Sequence, residues 1–162
     1  MPPTSVQRNA QVPESTLQVM ERFIDSNDSE DFYFVFVDDL SEKYNCASES
    51  PVTKDSSPTS PFIGKSTHEC HVLLQQLFKD TGSDIDYDCF AIMDKRSIED
   101  DTLLLCEGPS EEGEAESVRA PFDVASLIML NFRAGGPGVE EYQEAAAKEE
   151  DGVLNMDHFQ KC

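Results

Sequence analysis

The stretch DIDYDCFAIMDKRSIEDDTLLLCEG, residues 84–108, decides the fold class. Two short apolar runs with charged ends read as core strands, YDCFAIMD at about 87–93 and TLLLCEG at about 102–107. KRSIEDD links them in seven residues. Asp84, Asp86 and Asp88 alternate like the first half of a calcium loop, but such a loop needs Gly at its sixth position and an acid at its twelfth. Here those positions hold Cys89 and Lys95, so calcium is not expected. Asp84 and Asp88 are expected on one side of the segment entering the strand, with Ile85 and Tyr87 on the other.

Upstream, STHECHVLLQQLFKDTG is the best helix signal in the chain. Ser66 and Glu69 have capping-box spacing, Cys70, Leu73, Leu74 and Leu77 repeat at helical intervals, and Gly82 is a fitting terminator. Before it, residues 46–61 are Ser/Pro-rich and nearly free of large apolar groups, which reads as a flexible loop. Ser50, Ser57 and Ser60 each precede proline and are candidate proline-directed phosphorylation sites, although any loop of this composition produces such pairs. Residues 32–37 are aromatic and β-branched without a break, which suits a strand covered on both faces, ended by Asp38 and Asp39. A short amphipathic helix is expected at 15–25, with Leu17, Met20, Phe23 and Ile24 on one face and a Ser15/Gln18 capping box. Residues 1–14 read as a flexible tail.

Downstream, 107–117 is an acidic loop and SVRA a short strand. Pro121 is expected at a first helical turn, opening a helix with an Ala125, Ile128, Met129 and Phe132 stripe. RAGGPG breaks the chain, and a second helix carries Val139, Tyr142 and Ala146 on one side. The last segment docks by Val153, Leu154, Met156 and Phe159. The predicted order gives a single α/β domain over 15–162: one small sheet with helices packed on it and the Ser/Pro loop inserted.

Thirty-three acidic residues against 12 basic ones give a net charge of -21. Such a chain repels phosphate backbones and anionic membranes, so neither nucleic acid nor a membrane surface is an expected partner. A basic protein is, and a small-molecule ligand stays open. No run of 18 apolar residues and no secretory leader is found, so a cytoplasmic or nuclear protein with reduced thiols is expected.

Activity motifs are absent: no phosphate loop, dinucleotide fingerprint or nucleophile elbow. His68 and His71 stand at i, i+3 beside Cys70, but no second ligand pair accompanies them, so no metal is expected and both histidines read as surface residues. Cys89 and Cys106 lie in apolar strands and should behave as small hydrophobes. Asp38, Asp39 and Asp94 leave strand ends, where ligands bind in parallel sheets, and with Asn131 they are the candidate catalytic residues. Asp is also common at such places because it caps turns and helices. No cofactor is expected.

FVFVDDLSEKY (34–44), FAIMDKRSIEDDTLLLCEG (90–108) and LNFRAGGPGVEEY (130–142) together resemble a widespread family of small bacterial and fungal proteins, abundant in actinobacteria, a domain of unknown function. The first is similar to that family's strand ending in V-D-D, and the second to its strand ending in A-D-R-T followed by a second strand. The third matches its closing element at Asn131, Glu140, Glu141 and Tyr142. The resemblance spans about 32–145, with GPG replacing the family's N-M-D and no opening strand found before residue 15. It brings no catalytic residues. With the Ser/Pro insertion and acidic loop, it implies a fungal offshoot.

Two readings of function follow. One is a non-catalytic protein-binding or accessory domain whose acidic surface recognises a basic partner. The other is a small cofactor-free enzyme, an isomerase or cyclase of fungal secondary metabolism, using a shaped pocket and one or two carboxylates. A closed apolar cavity beside Asp38, Asp39 or Asp94 would favour the enzyme.

Overall fold

The computed structural model describes residues 4–8, 15–27, 33–48, 60–109 and 113–159. Strand and helix alternate through the first half of the chain: β1 (Thr4–Arg8), α1 (Ser15–Ser26), β2 (Phe34–Val37), α2 (Thr67–Thr81) and β3 (Asp86–Met93). β1 pairs in parallel with β2 on one side and with β3 on the other. The first crossover runs from β1 out to β2 and the second returns from β2 past β1 to β3, so they run in opposite directions across the sheet, and the right-handed rule places their helices on opposite faces. β4 (Thr102–Glu107) and β5 (Glu116–Pro121) then add antiparallel, completing a five-stranded sheet in the order β2-β1-β3-β4-β5.

The alternation along β3 shows the two layers. Cys89, Ala91 and Met93 join Val19, Met20 and Phe23 of α1 in one core, with Ile128 and Met129 of α4 (Ala125–Ala134) and Tyr142 of α5 (Val139–Ala146). Phe90 and Ile92 join Cys70, Leu74 and Leu77 of α2 in the other. β2 divides the same way, with Phe34 in the first core and Val35 and Val37 in the second, as a doubly covered strand requires.

The expected tail is corrected here. Residues 4–8 are not a tail but a strand held by ladders on both sides. TSVQR has no hydrophobic run to announce it; backbone pairing supplied by partners 30 and 82–85 residues away makes the strand. Residues 9–14 lie outside the described residues.

The KRSIEDD link is likewise more than a connection. It forms the short helix α3 (Lys95–Asp100), because Asp94 caps it and Ser97 returns the bond to the Asp94 backbone. The α2 capping box is as expected, Ser66 accepting from Glu69 N and Glu69 from Ser66 N, and Gly82 ends that helix at φ 62°. Pro121, by contrast, closes β5 and precedes a 3-10 turn at Phe122–Val124, so α4 starts later than Pro121 suggested. The last helix, α6 (Met156–Phe159), follows Leu154, which is 1% exposed and donates its N–H to the Arg119 carbonyl.

Both sheet edges are occupied. On β2, Ser48 N donates to Phe34 O (2.8 Å) and Phe36 N donates to Ser48 Oγ (3.0 Å). On β5, the carbonyls of Arg119 and Ser117 accept from Leu154 N and Gln143 Nε2, each at 2.8 Å. The described end of the 46–61 loop is thus tied to β2, and at its other end Ser60 is buried. Residues 49–59 lie outside the described residues.

Candidate functional site

The four sequence-predicted site residues do not converge. Asp38 and Asp94 leave the C-terminal ends of β2 and β3 with β1 between them, so their backbones stand roughly 10 Å apart by ordinary strand spacing. Asn131 lies toward the opposite end of the sheet, on the last turns of α4. There Arg133 pairs with Asp86 at the start of β3 (3.0 Å), and Cys89 Sγ lies 3.6 Å from the Met129 carbonyl.

Each candidate has a structural task. The Tyr44 hydroxyl accepts from the backbone N–H groups of Asp38 (3.3 Å) and Asp39 (3.1 Å), with its proton in reach of Asp38 Oδ1 and the Asp39 carbonyl. Burial pushes this phenol up to about 12, against the pull of those two backbone donors, so it stays protonated and closes the strand end. Asp39 Oδ1 accepts from Ser41 N (2.8 Å) and Ser41 Oγ (2.6 Å), an Asx turn. Asp94 caps α3 and receives the Arg119 guanidinium on both oxygens, while Arg119 Nη1 also reaches Thr102 Oγ1 (3.1 Å). The Arg119 side chain is 10% exposed, so this clamp of β3, β4 and β5 is a largely buried ion pair. Asn131 Nδ2 donates to Tyr142 Oη (2.7 Å), joining α4 to α5.

The cleft beside Asp38 holds about 370 Å³ and is lined by Lys43, Tyr44 and Cys46 among others; it is open, not a closed apolar cavity. The thiols of Cys70, Cys89 and Cys106 are buried, and burial pushes them up, Cys70 to about 12, which removes the thiolate that nucleophilic chemistry needs. Among the described residues no three His, Cys, Asp or Glu side chains group as a metal site, and no helix is long and apolar enough to cross a membrane.

His71 is a second correction. It is 6% exposed rather than a surface residue, and its Nε2 lies 2.8 Å from Asp88 Oδ1 while Nδ1 is buried without a partner. With Nε2 protonated, the ring donates to the carboxylate. Gly108 presses on this pair, donating its N–H to the Asp88 carbonyl (2.7 Å) and leaving no room for a Cβ. Nearby, burial raises the Asp86 carboxyl above the usual range despite the opposing Arg133.

The feature that sequence reasoning missed lies around the start of α5. Glu107, at the end of β4, accepts from Val139 N (2.9 Å), and Glu141 accepts from Gly138 N (2.8 Å). These two glutamates, with Glu114, Glu116 and Glu140, line a cleft of about 400 Å³ that has no Lys, Arg or His among the described residues of its lining. The runs EGPSEEGEAES and VEEY carry the charge, but their meeting depends on how α5 lies against β5. Beyond Glu141 a second, more apolar groove of about 630 Å³ opens between α5 and α6. Comparisons with protein-family models, curated proteins and solved structures return no match.

Proposed function

We propose that this protein is a non-catalytic interaction domain that recognises a basic protein through its acidic surface. The observation that carries this reading is the cleft at the start of α5, lined among the described residues by five glutamates and by no cation. A carboxylate accepts at two oxygens, so Glu107 and Glu141 keep lone pairs for an incoming Lys or Arg after capping the helix backbone. The net charge of -21 adds long-range attraction for the same partner. The occupied sheet edges point away from strand addition as the binding mode. Kinship with the bacterial and fungal family named above belongs to the same proposal, and β1 supplies the opening strand that it requires.

The enzyme reading keeps one supporting observation, the cleft where Asp38, Tyr44 and Lys43 meet at a strand end. A tagged pull-down from the native host, with mass spectrometry of co-eluting proteins and small molecules, separates the two. A stoichiometric basic protein released by high salt is the expected result. A retained small molecule with no protein partner overturns the interaction reading, and loss of its turnover in Asp38→Asn would then establish the enzyme.

A further inference from the structure

We infer that the α5–α6 face is the docking site for a basic amphipathic segment of another protein, seated by an apolar side chain in the groove and by its cations on the glutamates around it. The inference rests on the interaction reading above and gives it a place. The groove floor is apolar: Pro137, Ala145 and Phe159 line it. The Phe159 ring lies 4.6 Å from that of Tyr142, which is fully buried, so the floor is backed by the core. Glu141, Glu144 and Glu149 stand around it. Among the described residues Lys148 and His158 are the basic side chains in its lining, and His158 Nδ1 lies 2.6 Å from Glu149 Oε1.

Glu141 lines both the apolar groove and the acidic cleft, so the two adjoin. α5 has eight residues, about 12 Å at the helical rise, which matches a partner segment of about two turns. Such a segment would present an apolar residue between cations, the helix-in-groove mode. Charge selects the occupant. A second copy of this chain would bring its own net charge of -21, and phosphate or anionic lipid head groups would be repelled. A basic segment is attracted, and its apolar side chain gains by leaving water.

The test uses the full chain and two fluorescein-labelled peptides of Leu, Lys and Arg. One has its leucines on one helical face; the other has the same composition scrambled. Binding is read by anisotropy at low salt. The amphipathic peptide is expected to bind about tenfold more tightly than the scrambled one, the size of one buried leucine. Ala145→Arg, which fills the groove, should abolish that preference. Glu144→Lys at an exposed position should weaken binding of both peptides about tenfold, and it keeps the test decisive if circular dichroism shows that Ala145→Arg does not fold. Asp80→Lys at an exposed position of α2, on the opposite face of the sheet, makes the same change in net charge away from the groove, and should have little effect. Equal weakening by Glu144→Lys and Asp80→Lys, or equal binding of the two peptides, overturns the docking site while leaving an acidic binder in place. Binding of neither peptide at low salt overturns both.

Discussion

Gly108 gives a sharp test of how α2 is joined to the strands beneath it. A Cβ at this position would meet Asp88 Oδ1 at 2.8 Å, His71 Nε2 at 3.0 Å and Asp88 Cα at 3.3 Å. In Gly108→Ala the carboxylate must swing away, leaving the buried His71 Nε2–H without its acceptor. Losing that bond costs about 1–3 kcal/mol, and forcing the backbone of Asp88 aside adds about 1 kcal/mol. Alanine also narrows the unfolded ensemble, which returns roughly 0.4–1 kcal/mol. The net expectation is a loss of about 2 kcal/mol, read as a lower urea midpoint at unchanged slope. Asp88→Ala separates the causes. It removes the nearest clash and has already stripped His71 of its partner, so adding Gly108→Ala should then cost under about 1 kcal/mol. The reasoning is refuted if Gly108→Ala is neutral in the parent, or if its cost is the same in both backgrounds.

Three further outcomes follow from the same geometry. Asp94→Ala removes the α3 cap and leaves Arg119 buried without its carboxylate, so urea denaturation should show a loss of about 3 kcal/mol. Asp94→Asn, which can still cap, should lose less, and equal losses would argue against a separate capping contribution. The thiol of Cys70 sits at about 12 in the fold against a reference of 9.0, so burial of its neutral form stabilises the protein fully below pH 9. That contribution falls as pH rises toward 12, by about 1.4 kcal/mol per pH unit. Cys70→Ala should therefore flatten the decline of stability above pH 9, and parallel curves would disprove it. Ser60 is buried, and its Oγ accepts from Phe62 N (3.3 Å), so a proline-directed kinase acting on the folded chain should leave it unmodified in a peptide map, whatever happens at Ser50 and Ser57.

What the sequence determined by itself was local. The α2 capping box, the bounds of β4 and the Val139, Tyr142 and Ala146 stripe follow from interactions within a turn or from the pleat, and all are legible as spacing. The α/β class followed from those elements in order. The tertiary structure alone decided the rest. β1 is a strand because two distant strands complete its ladders. His71 is buried because Asp88 and Gly108 close over it. Asp94, a site candidate on sequence, is a clamp because Arg119 reaches it from β5. The glutamates of β4, β5 and α5 line one cleft only after helix and sheet pack. Desolvation and pairing between residues far apart in the chain leave no periodicity along it, which is why elements were readable and their meeting was not.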